Sequence, residues 1–155
     1  MQAQRIRHYL AERAPDLRIV DLQQAHTTDY ISREWHVLPA QVAKTLALRV
    51  GSEVKIVVTC GDSRLDNRKV KEVLGGKGRM IPGPEAAALT GHPVGGITPL
   101  CLAVPLPIFF DVQLQRFDEV VTAAGSTHSA IRIPPRRFAE LVDAKWVDIC
   151  SQPYQ

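Results

Sequence analysis

The run Thr90-Gly-His-Pro-Val-Gly-Gly-Ile-Thr-Pro-Leu100 sets two adjacent glycines, Gly95 and Gly96, between two prolines, Pro93 and Pro99. A helix interior or a central strand rejects that pattern: proline lacks an N–H and fixes its own φ, and glycine loses the most backbone freedom on ordering. The segment is therefore a loop. Residues without a Cβ let backbone amides converge on a small anionic or carbonyl-bearing ligand, which makes the loop a candidate holding element. The same composition also serves as a tight connection between a helix and a strand.

Gln41 to Val50 reads as a strand. Alternation puts Val42, Leu46, Leu48 and Val50 on one face and Ala43, Thr45, Ala47 and Arg49 on the other, with Lys44 sharing the apolar face. An ammonium in that register either snorkels out at the strand end or sits in a pocket with a partner, because an unpaired buried charge is costly.

The rest of the chain alternates short helices with short strands. A helix is expected over Gln4 to Ala14, a strand over Leu17 to Leu22, and a helix capped by Thr27 or Thr28 that runs through Trp35 and is stopped by Pro39. After the Lys44 strand, Gly51-Ser52 turns into a second strand, Val54 to Thr59, as a hairpin. Asp66 caps a helix with Val70, Val73 and Leu74 on its apolar side, and Gly75-Gly76 ends it. Pro84 opens a helix over Glu85 to Leu89 that Gly91 closes, so the glycine loop leaves a helix C-terminus. The dipole there repels anions, and any anion stabilisation has to come from the loop's own N–H groups. Strands follow at Leu102 to Val104, Ile108 to Asp111, Glu119 to Ala124 and Ala130 to Ile133. Pro134-Pro135 then starts a helix to Val142, and Trp146 to Cys150 forms a last strand. The pattern is α/β: one domain, residues 1–155, around a mixed, mainly antiparallel β-sheet surrounded by short helices.

With 155 residues and 45% hydrophobic content the chain can bury a substantial core, and no apolar run approaches the ~18 residues of a membrane span. Its first residues carry charges where a signal peptide needs an apolar segment, so a cytoplasmic protein with no membrane partner is expected. A formal charge of +3 is too small to mark nucleic-acid binding by itself. Local clusters count for more: Arg64, Arg68, Lys69, Lys71, Lys77 and Arg79 in one stretch, and Arg132, Arg136 and Arg137 in another, are candidates for phosphates or simply solvated faces. Cys60, Cys101 and Cys150 are widely spaced and read as reduced core filler, and the five histidines show no i,i+4 pairing. No metal or other cofactor is expected.

Five motifs, in order from about Thr28 to Val147, resemble the YbaK/proline-tRNA-synthetase editing-domain family. Val42-Ala-Lys-Thr-Leu46 is similar to the family's lysine-bearing strand, and Gly61-Asp-Ser-Arg-Leu-Asp66 to the turn and helix start after the next strand. Gly91 to Pro99 is similar to the glycine loop and contains its G-x-x-x-P as Gly95 to Pro99. Asp111 to Asp118 and Ala123 to His128 resemble its closing strands. The resemblance implies a barrel-like sheet and hydrolysis of the ester that joins a wrong amino acid to the terminal ribose of tRNA.

That ester is already activated, so positioning and oxyanion stabilisation suffice without a covalent nucleophile. The chain has no G-x-S-x-G elbow and no Cys–His pair, although Ser126 and His128 lie close in sequence. By resemblance, Lys44 grips a phosphate or ribose oxygen of the terminal adenosine. The amides of Gly95 and Gly96 face the ester carbonyl, and Thr45, Ile97, Thr98, Pro99, Asp111, Gly125 and Ser126 contribute to substrate binding. His128 is a pocket wall or a group that orients water. Members resembling Cys-tRNA(Pro) deacylases often carry an acidic residue beyond the final glycine segment. This chain reads Gly125-Ser-Thr-His128 there, closer to free-standing relatives that clear alanine from tRNA(Pro). The expected substrate is the acceptor end of a tRNA(Pro) bearing alanine, or cysteine or serine. The alternatives are a non-catalytic acceptor-end binder and a module that partners an aminoacyl-tRNA synthetase.

Overall fold

The computed structural model of the chain describes residues 2–151. In order it forms α1 (Gln2–Arg13), β1 (Val20–Asp21), α2 (Thr28–Trp35), β2 (Ala43–Val50), β3 (Glu53–Cys60), α3 (Asn67–Leu74) and β4 (Gly78–Met80). There follow α4 (Gly83–Thr90), β5 (Ile108–Asp111), β6 (Val120–Ala123), β7 (Ser129–Ile133), α5 (Pro135–Leu141) and β8 (Lys145–Val147). Single 3-10 segments cover Pro39–Gln41 and Val112–Arg116.

Local chemistry explains most of these ends. The Thr27 hydroxyl accepts from the Tyr30 amide at 3.1 Å and starts α2. One Asp66 carboxylate oxygen accepts from the amides of Arg68 and Lys69 at 3.0 and 3.1 Å and starts α3. Each cap satisfies amides that the first helical turn leaves without partners. β2 and β3 form the expected hairpin, from Val50 opposite Glu53 to Ala43 opposite Cys60, across a two-residue Gly51-Ser52 turn.

Among the described residues the strands lie in two sheets, ordered β4-β2-β3-β5-β8 and β1-β7-β6. β3 with β5 and β5 with β8 run parallel; the other pairings are antiparallel. The sheet system is thus mixed and mainly antiparallel, but it does not close into a barrel. Val42, just before β2, bridges Val121 of β6, while β4 takes the β2 edge from Leu48 to Val50. Two elements compete for one edge, and β6 is left with its corner.

Three apolar clusters hold the layers together. The main one packs Ile6 and Leu10 of α1 and Phe138 of α5 against Ile56, Val58 and Phe110. Phe110 is fully buried and meets the rings of Phe138 and Trp146 edge-on at 4.8 and 5.5 Å. Burying a side chain of this kind stabilises by about 1.5–3 kcal/mol. A second cluster joins Leu48, Val50 and Val57 to Val70 and Leu74 of α3, and a third joins Tyr30 and Ile31 of α2 to Val42 and Val121.

Several expectations change, among them the last strand, which runs over Lys145–Val147 and not to Cys150. Leu102 to Val104 is not a strand: the Ala103 amide donates back to the Thr90 carbonyl at 2.9 Å, folding the segment onto the end of α4. The expected strand over Leu17 to Leu22 shrinks to β1. Asp111 to Asp118 is mostly the 3-10 turn, because the Asp111 carboxylate caps it through the Gln113 amide. β4 was not anticipated; Gly78-Arg79-Met80 has no apolar alternation and becomes a strand through its backbone pairing with β2.

Candidate active site

The glycine loop begins where α4 ends at Gly91, φ 78°. The Gly96 amide donates to the Pro93 carbonyl at 2.8 Å, and Gly95, at the third position of that turn, has φ 89°. A turn with positive φ at its third residue calls for glycine there. Gly96 is needed for a different reason: a Cβ on it would lie 2.6–2.8 Å from the backbone of Ser126. The loop is thereby pressed onto the turn between β6 and β7. Deeper down, the buried hydroxyls of Thr98 and Thr122 lie 3.4 Å apart. This corrects one expectation: the Gly96 N–H, assigned to an ester carbonyl, is used inside the loop. The amides of Gly95 and Ile97 donate to no group among the described residues.

The β6–β7 turn is itself tightly bonded. Gly125 has φ 86°. The Ser126 hydroxyl donates to the Ser129 hydroxyl at 2.7 Å and accepts from the His128 amide at 3.3 Å. The His128 ring is exposed, with Nδ1 2.8 Å from the Thr127 hydroxyl. Ser126 and His128 therefore do not form a nucleophile–base pair. The segment before α2 closes the turn from its other side: the Leu22 amide donates to the His128 carbonyl at 2.8 Å and the His26 amide to the Thr127 carbonyl at 2.6 Å.

Lys44 finds a partner rather than snorkelling. Half-buried on β2, it donates from Nζ to the Ser63 carbonyl at 2.8 Å, which holds the ammonium without neutralising it. Ser63 belongs to the Gly61 to Asp66 turn singled out in the sequence. Its hydroxyl donates to Gln113 Oε1 at 3.4 Å, and Gln113 Nε2 donates to the Ser151 carbonyl at 3.0 Å. Lys44 is in phase with Val42, whose side chain packs with that of Val121 against α2, whereas Thr98 meets Thr122 on the opposite face of β6. The lysine and the glycine loop thus flank the end of β6 from opposite faces. Thr45, on the loop's side of β2, has a buried hydroxyl with no partner among the described residues.

Two expected binding residues are placed elsewhere. Asp111 is fully buried, and its two carboxylate oxygens accept from the amides of Gln113 and Ile149 at 3.0 and 3.1 Å, so it braces the fold and offers nothing to a ligand. Pro99 lines a separate cavity of about 640 Å3 with Tyr9, Arg13 and Leu106, away from the β6–β7 turn. Cys60 and Cys150 are fully buried, and burial pushes both thiols up, which keeps them protonated and unreactive. The residue that sequence reasoning overlooked is His92, buried at the base of the loop, although it lies inside the Gly91 to Pro99 motif. His26, against Thr127, is the other; burial lowers the pKa of both imidazoles.

With the glycine loop seated on a strand-end turn and Lys44 across β6 from it, the mixed α/β fold is the one seen in solved YbaK-type editing-domain structures. The aminoacyl-tRNA editing domain family model matches residues 23–141, and the chain belongs to that family. It is 38% identical over 114 residues to the uncharacterized protein YwhH of Bacillus subtilis (strain 168), covering 72% of this chain and 73% of that one. A solved structure described provisionally as a trans-editing enzyme for prolyl tRNA synthetase superposes with a TM-score of 0.89 at 26% identity, over 97% of this chain and 98% of the other. The hypothetical protein APE2540 superposes with a TM-score of 0.87, again at 26% identity, over 95% and 99% of the two chains.

Proposed function

We propose that the chain is an aminoacyl-tRNA deacylase acting in trans, which clears a small wrong amino acid, alanine or else cysteine or serine, from tRNA(Pro). The observation that carries this reading is the contact of Gly96 with Ser126 in an editing-family domain. It holds the loop against the turn while the Gly95 and Ile97 amides have no partners among the described residues. Those two amides, in place of the Gly96 amide, stabilise the oxyanion that develops on the ester carbonyl. Lys44, fixed by the Ser63 carbonyl yet still charged, holds a phosphate or ribose oxygen of the terminal adenosine. Ser126 and His128 shape the site around the amino acid, and Thr45, Ile97, Thr98 and Gly125 support its walls. Water attacks the ester carbonyl directly, or the neighbouring ribose hydroxyl first takes the acyl group and water then attacks that new ester. In either case the C–O bond to the ribose breaks, the ribose oxygen takes up a proton from the water, and the amino acid leaves carrying the water oxygen.

Charge placement supports an RNA substrate. Arg49 of β2 and Arg79 of β4 are directly opposite each other, an arrangement that like charges disfavour. Glu85 pairs with Arg49, and Arg79 and Lys77 are exposed beside it for phosphates. A cytoplasmic place, alongside tRNA charging and its synthetase, goes with this activity. No helix among the described residues is long and apolar enough to cross a membrane.

The test is a panel of mischarged tRNAs incubated with the protein and scored for free amino acid, with alanine released from Ala-tRNA(Pro) as the expected result. Saturable binding of tRNA without release would make the chain an acceptor-end binder. Neither binding nor release, together with capture of a synthetase, would make it a partner module.

A further inference from the structure

His92 is 1% exposed, and its ring spans the two ends of the glycine loop. Its Nε2 lies 2.7 Å from the carbonyl oxygen of Leu100. A carbonyl oxygen only accepts, so Nε2 carries the hydrogen and Nδ1 of the neutral ring is a bare lone pair. Nδ1 is buried with no partner among the described residues, and it faces Gly125, where an added Cβ would come within 3.3 Å of it. One imidazole therefore touches the start of the loop through its own backbone, the end of the loop at Leu100, and Gly125 of the β6–β7 turn. Arg5 of α1, whose guanidinium would lie 3.0 Å from a Cβ on Gly91, is the charged neighbour, and it opposes a second positive charge on the ring.

Packing does not account for a histidine here. A phenylalanine would fill similar space without orphaning an acceptor, and an unmatched buried acceptor is unfavourable. What the imidazole adds is a donor for Leu100. With that bond the loop is closed on itself from residue 92 to residue 100, and Gly125 becomes the surface it rests on.

We propose that His92 is a positioning residue of this site: its N–H to Leu100 closes the glycine loop and seats it on Gly125, which sets where the Gly95 and Ile97 amides stand relative to the Ser126–His128 turn. The kinetic part of this inference rests on the deacylase reading; the structural part does not.

Two variants test it. In His92→Gln the side-chain amide keeps a donor within reach of the Leu100 carbonyl, and in His92→Phe the space is filled without one. Thermal unfolding establishes that each is folded, and His92→Leu replaces the phenylalanine variant should that one not fold. Amide hydrogen exchange at Gly95 to Thr98 is expected to speed up by about tenfold or more in His92→Phe and to stay near wild type in His92→Gln. On mischarged tRNA, kcat is expected to drop by roughly 10–100-fold in His92→Phe with KM within about threefold, and to recover largely in His92→Gln. Wild-type exchange and kcat in His92→Phe would overturn the inference. So would a glutamine variant as impaired as the phenylalanine one, since the ring's shape and not its N–H would then matter. If the wild-type protein releases no amino acid from any mischarged tRNA, the deacylase reading fails by itself, and the exchange comparison still decides whether His92 closes the loop.

Discussion

The backbone of Ser126 occupies the space that a side chain on Gly96 would need: an ideal Cβ there would lie 2.6 Å from the Ser126 carbonyl carbon and oxygen and 2.8 Å from its nitrogen. Backbone cannot swing aside as a flexible side chain can, so even one methyl group has to lift the loop off the turn. Gly96→Ala is expected to destabilise by about 1–3 kcal/mol, the usual cost of overpacking. Its kcat should fall ~10²-fold through misplaced oxyanion donors. Gly95→Ala meets only Thr127 Cγ2, at 3.4 Å, and strains the backbone instead by holding φ 89°. Denaturant unfolding and single-turnover deacylation separate the two effects, and wild-type turnover in Gly96→Ala would mean that the loop–turn spacing is irrelevant to chemistry.

Lys44→Ala is expected to abolish most deacylation, a drop of at least ~10²-fold, while the fold survives. It forfeits one bond to the Ser63 carbonyl at a half-buried position, worth about 1 kcal/mol. Circular dichroism together with amino-acid release from mischarged tRNA checks this. Turnover near the wild-type level would take Lys44 out of the site, and loss of folding would give it a structural role.

His128 is exposed and bonded through its ring to Thr127, which suits a residue that shapes the amino-acid pocket. His128→Ala is expected to change the ratio of rates on alanyl and seryl substrates by several-fold, within the ~1–3 kcal/mol that one small group is worth in a pocket, with a modest loss on the better one. Loss of activity towards every substrate, with a matching loss of the wild-type pH dependence, would make it the general acid or base instead.

Acid should loosen the fold through His26 and His92. Burial lowers both imidazole pKa values, so between the folded and the ordinary value of about 6.5 the unfolded chain binds more protons than the native one. The stability contribution is complete above about pH 6.5 and is lost as the pH falls through the lowered folded values. Thermal midpoints measured from pH 7.5 to pH 5 should fall over that window, and less steeply in His92→Gln. An identical pH profile for that variant would show that His92 does not titrate in the transition.

Features that depend on near neighbours were legible in the chain. Thr27 and Asp66 cap helices with amides two or three residues away, Gly51-Ser52 turns a hairpin, and the alternation about Lys44 puts it in phase with Leu46, Leu48 and Val50. The glycine loop and its place after a helix were readable for the same reason. Asp111 looked available to a ligand because nothing nearby in sequence announces that the Ile149 amide, 38 residues on, takes one of its oxygens. The Gly96 amide was misassigned because whether an N–H is free depends on the turn that actually forms.

The sequence by itself determined the family, the α/β pattern and the loop that cannot be anything but a loop, since these follow from periodicity, caps and residues with restricted or unrestricted φ. Only the tertiary structure decided that β4 would take the β2 edge and keep the sheet from closing, that Lys44 would be held by Ser63, and that His92 would reach from Leu100 to Gly125. Those are choices among partners distant along the chain. A backbone edge or a carbonyl accepts whichever donor the packed layers bring to it, and the packing of those layers is a property of the whole chain that no short segment encodes.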